Sequence, residues 1–128
     1  MHFTDDILVG IFAYLNKGNR QFYHDRQRVH EFFYEQKSLY SVLKDVPFRT
    51  KGLFPESREL DQAYSNLVAS GLLFSWSPRF NPHEISSECR TYFSTKLRKH
   101  FSADELRELE ELSQKFQTKF CLESALSE

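Results

Sequence analysis

Between Gly52 and Trp76 the chain carries a helix with both ends marked and a strand that starts directly after it, and this unit limits what the rest can build. Pro55 presets a backbone angle suited to helix entry, and Ser57 offers a side-chain oxygen to the first free amides. Leu60, Ala63, Tyr64, Leu67 and Val68 follow at three- and four-residue steps, the stripe of one helical face. Gly71 stands where a chain leaves a helix in the left-handed conformation. Leu72-Leu73-Phe74-Ser75-Trp76 then reads as a strand. A helix joined this tightly to a strand sets the expectation of an α+β, mainly α fold.

The flanking segments supply the other elements. Ile7, Leu8, Ile11, Phe12 and Leu15 predict a helix from about Asp5 to Asn16, with Asp5 and Asp6 at its positive end and Gly18 at its stop. Val29, Phe32 and Phe33 predict a second helix from about Asp25 to Gln36, capped by Asp25. A short helical turn follows through Leu39, Tyr40 and Leu43. Pro47 then holds Val46 to Arg49 extended. Beyond the strand, Ser77 to Pro82 reads as a turn, and the alternation of Cys89, Thr91 and Phe93 predicts a second strand over Ser87 to Phe93. Ser102-Ala103-Asp104-Glu105 is a capping box, and Leu106, Leu109, Leu112, Phe116 and Phe120 mark one face of a last helix.

At 128 residues there is room for one domain. The 13 Phe and 6 Tyr predict an aromatic core. No apolar run approaches the length of a membrane span, and Met1 to Asp6 lacks the basic and apolar regions of a signal peptide. Cys89 and Cys121 lie far apart and read as buried thiols, so a cytoplasmic location is expected. The net charge of -1 is unevenly distributed. Lys17 to Lys99 holds 14 Lys and Arg against 9 Asp and Glu, whereas Phe101 to Glu128 holds 3 against 7. A mildly basic middle permits a nucleic-acid face without announcing one.

Helix, helix, turn, capped helix and hairpin is the order of a winged helix-turn-helix. The segment Leu67-Val-Ala-Ser-Gly-Leu-Leu-Phe74 resembles the junction between recognition helix and wing in that superfamily. Lys51-Gly-Leu-Phe-Pro-Glu-Ser-Arg-Glu-Leu60 resembles the phage-associated Panacea (SocA-like) antitoxin family, although Phe54 precedes Pro55 here and two residues separate Gly52 from Pro55. The resemblance implies a winged helix-turn-helix domain over residues 1–100 with a two-stranded wing. A C-terminal helix over 101–128 would pack on that domain or on a partner subunit.

If the capped helix enters a major groove, Arg58, Gln62, Ser65 and Asn66 face the bases, since Arg pairs with guanine and Gln or Asn with adenine. Arg49, Lys51, Arg79, Asn81 and His83 would then meet phosphates. Glu56, Glu59 and Asp61 oppose that placement. The expectation is a homodimeric transcriptional regulator on duplex DNA, with Tyr34, Tyr40, Leu109, Leu112, Phe116 and Phe120 at the subunit interface. The alternative is an antitoxin-like protein-interaction module on the same fold. No cofactor is implied, and no metal ligand set: His24, Asp25 and His30 match no zinc spacing, and Glu108, Glu110 and Glu111 point to different faces of a helix. Phosphate loops and nucleophile elbows are missing from the sequence, so no enzyme is expected.

Overall fold

The third helix, α3 (Arg58–Ala69), is built as its sequence predicts except that Val68, expected on the apolar stripe, is exposed. Ser57 Oγ accepts the Leu60 amide at 3.2 Å, and Leu60, Ala63, Tyr64 and Leu67 are buried. Gly71 ends the helix with φ of 78°. Its amide donates to the Val68 carbonyl at 3.2 Å and the Leu72 amide to the Leu67 carbonyl at 3.0 Å, a pair of bonds that satisfies the last carbonyls and turns the chain into a strand. The computed structural model describes residues 2–15, 21–23, 25–77 and 80–121.

The elements run α1 (Thr4–Ala13), β1 (Gln21–Tyr23), α2 (Arg26–Lys37), a 3-10 turn (Ser41–Leu43), α3, β2 (Leu73–Ser77), β3 (Phe80–Ile85), α4 (Ser87–Tyr92) and α5 (Ala103–Phe120). The fold is mainly helical with a small three-stranded antiparallel sheet, in the order β1-β3-β2.

Two expectations around the sheet are corrected. The second hairpin strand is Phe80–Ile85, not Ser87 to Phe93. Most of the stretch read as a turn is strand. Ser75 pairs with His83 and Ser77 with Phe80, so Asn81 and Pro82 oppose Trp76 alone. Such a bulge breaks the ladder where Pro82 has no amide to donate, which lets a proline sit in the central strand. Ser87 to Tyr92 is helix instead, capped by Ser86 Oγ on the Glu88 amide at 3.1 Å. It continues through a π turn (Phe93–Leu97) and a 3-10 turn (Arg98–His100). Cys89, Phe93 and Leu97 are all buried. Their four-residue spacing is the helical signal that the apparent alternation conceals. The third strand, β1, is too short to announce itself in the sequence. It adds to the expected two-stranded hairpin by pairing with β3.

α1 lies at the centre, buried from Ile7 to Ala13 on every side. It ends at Ala13 rather than near Asn16, and Gly18 lies outside the described residues. Arg90 of α4 donates to the carbonyls of Ala13 (3.2 Å) and Leu15 (2.8 Å), and so takes up that helix end. At Gly10 an added Cβ would stand 2.8 Å from Leu109 Cδ1 and 3.1 Å from Phe93 Cε1, so the missing side chain is what lets α5 approach.

α5 has both halves of its capping box. Its apolar face packs on its own chain. Phe116 lies 5.1 Å from Phe22 and 5.5 Å from Phe12, ring centre to ring centre, with Phe120 4.8 Å away. This cluster is the aromatic core that the composition predicts. Glu108 also has a structural task, accepting the Ser41 and Val42 amides at 3.2 and 2.9 Å and thereby capping the 3-10 turn.

Candidate functional site

A helix turns 100° per residue, so burying Leu60, Ala63, Tyr64 and Leu67 leaves Arg58, Gln62, Ser65 and Ala69 in line on the outer face of α3. Arg58, Gln62, Ser65 and Asn66 are all exposed, as the sequence predicts. Two of the four are already engaged. Gln62 Nε2 donates to Asn66 Oδ1 at 2.9 Å, and Asn66 Nδ2 donates to Asp5 Oδ2 at 2.8 Å, which ties α3 to the start of α1. Arg49 and Lys51 are exposed beside the entry to α3, where Arg49 and Glu56 exchange backbone hydrogen bonds at 2.7 and 2.9 Å. The loop they enclose carries Leu53 fully exposed.

The hairpin residues fare differently. Arg79 lies outside the described residues, and Asn81 is placed in β3 by its backbone. His83 sits in the central strand between Phe22 and Ser75, its ring 5.6 Å from Phe22. That is the middle of the sheet rather than the hairpin tip expected for a phosphate contact.

Behind α3 lies a cluster that sequence spacing does not reveal. His30 of α2 is fully buried. Its Nδ1 accepts the Ser57 amide at 3.0 Å, and its Nε2 lies 2.9 Å from Asp61 Oδ1. An atom that accepts an N–H carries no proton, so the ring is the neutral tautomer with the hydrogen on Nε2, donated to Asp61. Burial pushes the His30 pKa below its ordinary 6.5 and outweighs the opposing pull of Asp61. Burial alone would raise the Asp61 carboxyl. Its hydrogen bonds and charge contacts with Arg26 and His30 instead hold it below the usual carboxylate range. Arg26 donates to Asp61 at 2.7 Å and pairs with Glu56 at 2.9 Å, which raises its own pKa, Asp61 contributing most.

Ser57, His30 and Asp61 stand side by side, as in a nucleophile, base and acid set. The geometry assigns them to architecture instead. The imidazole meets the Ser57 backbone amide, and Ser57 Oγ, itself buried, is bound to the Leu60 amide. The cluster pins the first turn of α3 to α2. Asp25, the other carboxylate of interest, caps α2 through the Arg28 amide, while His24 lies outside the described residues. No group of three or more His, Cys, Asp or Glu able to hold a metal occurs among the described residues. Cys89 and Cys121 are both buried, and burial pushes the Cys89 thiol up to about 12.

A cleft of 660 Å³ opens on the other flank of α3. Its floor includes Val9, Leu67 and Leu72, and its rim Asp5, Asp6, Glu88 and Tyr92. No spacing rule in the sequence points to this cleft. Asp5 and Asp6 read as helix-end acids, and Glu88 was expected in a strand, where it would not face them. A second groove, of 360 Å³, runs from Asp5 past Glu59 and Asp45 to the exposed Phe3.

The residues expected at a subunit interface are corrected in part. Leu109, Leu112, Phe116 and Phe120 are buried within their own chain, so the α5 stripe docks in cis. Tyr40 is buried and donates to Glu111 at 3.2 Å. Tyr34 remains about half exposed, edge-on to Phe48.

Comparison with known protein families, curated proteins and solved structures returned no match to this chain. Among the described residues no helix is long and apolar enough to cross a membrane.

Proposed function

We propose that this chain is a winged helix-turn-helix domain used to bind another protein. The fold part of the reading is supported by the order α1, α2, 3-10 turn, α3 and a β2–β3 hairpin, with α3 ending on Gly71 directly ahead of β2. The functional part rests on one observation, the acidic lining of the cleft between α1, the end of α3 and α4. Asp5, Asp6 and Glu88 line it against the single ammonium of Lys96, and none of the three carboxylates has an ion pair among the described residues, while the exposed cations Arg49, Lys51 and Arg58 stand at the other end of α3, around its entry. DNA affinity comes largely from cations that neutralise phosphates, and three carboxylates along one cleft oppose it there. A protein partner has no such requirement. The resemblance of Lys51 to Leu60 to an antitoxin family agrees with this use.

DNA binding stays as a second reading because of a specific feature. Arg58, Gln62 and Ser65 share the outermost stripe of α3, and Arg26 pairs with both acids at its first turn, Glu56 and Asp61, offsetting one of their two charges. Fluorescence anisotropy on a pool of short duplexes, at low and near-physiological salt, separates the two readings. The protein-binding reading expects no duplex binding at either salt, and a specific partner on the tagged chain that is lost when Thr91 in the cleft is changed to Arg. Salt-dependent duplex binding that Arg58→Ala with Gln62→Ala weakens would establish the regulator instead.

A further inference from the structure

The cleft between the start of α1, the end of α3 and α4 joins an apolar floor to an acidic rim. Its floor is apolar, with Val9 and Leu67 almost wholly buried beneath it and Leu72 half-buried. Its rim carries three carboxylates, Asp5 and Asp6 from α1 and Glu88 from α4, against the single ammonium of Lys96. Asp5 accepts a neutral hydrogen bond from Asn66, and none of the three carboxylates has an ion-pair partner among the described residues. Tyr92, 40% exposed, lends the wall a ring face and a hydroxyl edge.

From this geometry we infer that the cleft receives a basic segment of a partner protein, with an apolar side chain seated on the floor between Lys or Arg residues that reach the carboxylates. The inference rests on the protein-binding reading above and names the chemistry of the partner. Charge complementarity selects the occupant. A nucleic acid would bring phosphates to three carboxylates. A metal ion would need a cluster of ligands that is missing among the described residues. A small amine would answer the carboxylates and leave the apolar floor uncovered. A polypeptide supplies apolar and cationic side chains at the spacing of α1 and α4. The electrostatics of the rim agree. Burial, then the neighbouring Asp5, hold the Asp6 carboxyl above the usual range, with His2 and His100 only partly offsetting them. An incoming cation relieves that repulsion.

The test uses the full chain and a fluorescein-labelled peptide of about a dozen residues in which Leu alternates with Lys pairs. One control peptide replaces Leu by Ser, and another replaces Lys by Glu. Anisotropy should report binding of the Leu/Lys peptide alone, weakening as salt rises. Glu88→Arg, at an exposed position, should reduce affinity about tenfold, and Asp6→Asn should reduce it as well. Amide shifts should gather at Val9, Leu67, Leu72 and Tyr92. Equal binding of either control peptide, shifts gathered elsewhere, or indifference to Glu88→Arg would overturn the inference. So would a homodimer that Glu88→Arg dissociates, because it would give the cleft to a second copy. Failure of the peptide with no duplex binding removes only the basic-segment chemistry. Duplex binding lost in Arg58→Ala removes the protein-binding reading itself.

Discussion

Acidification should loosen the first turn of α3 through one side chain. Fully buried His30 accepts the Ser57 amide on Nδ1 and donates from Nε2 to Asp61, so protonating Nδ1 would set two N–H groups against each other. Its folded pKa lies below 6.5 because burial disfavours the charged ring. An unfolded chain therefore takes up this proton at higher pH than the folded one. Stability from His30 is fully present above about pH 6.5 and is lost as pH falls from there toward the folded value. The slope in that window approaches about 1.4 kcal/mol per pH unit for one proton. Urea denaturation of wild type and His30→Leu across pH 5 to 8 isolates it, because the other histidines are common to both. The variant should be about 2 kcal/mol less stable at neutral pH, having left the buried Ser57 amide without an acceptor, and should lack the slope. If it does not fold, imidazole 15N shifts of the wild type give the same answer, with Nδ1 unprotonated at pH 7. A protonated Nδ1, or a His30 pKa above 6.5, would refute the argument.

Three other perturbations probe the packing. Gly10→Ala should destabilise by about 1 kcal/mol, because overpacking against Leu109 and Phe93 exceeds the gain in helix propensity. Combined with Leu109→Ala it should cost less than the two single changes together, and thermal melts of all three variants check this. Phe116→Ala empties the centre of the aromatic cluster and should cost about 3–5 kcal/mol, read from the denaturation midpoint. In a Cys121→Ala background, Cys89 should stay unreactive toward a disulfide reagent at pH 8 until denaturant is added, since burial holds its thiol protonated.

Local rules made part of this protein legible from its residues. Ser57, Gly71, Asp25 and the Ser102–Glu105 box mark helix ends through bonds a few residues long, and each is where the sequence predicts it. The same holds for the apolar faces of α2, α3 and α5, because a 3.6-residue period is a property of each segment alone, whereas α1 is buried beyond the one face its period marks. Failures begin where a segment satisfies two periods at once. Cys89, Thr91 and Phe93 alternate, while Cys89, Phe93 and Leu97 repeat by four. Packing against α1 selects the second pattern.

The candidate site was legible only in its outer stripe. Arg58, Gln62, Ser65 and Asn66 follow from the helix period, but their bonds do not: Asn66 reaches Asp5, 61 residues away in sequence. The His30 pin and the acidic cleft join residues from elements far apart in the chain. No spacing rule relates Asp6 to Glu88, or His30 to the Ser57 amide. Near-neighbour signals fix the starts of α2, α3 and α5 and their apolar faces, whereas the end of α1 and the helical state of α4 depend on contacts from distant parts of the chain. Tertiary packing makes the α5 stripe close the core of its own chain, joins β1 to the hairpin, and brings Asp5, Asp6 and Glu88 to one cleft. Those outcomes depend on which surfaces meet, and contact between distant segments is settled only when the whole core closes.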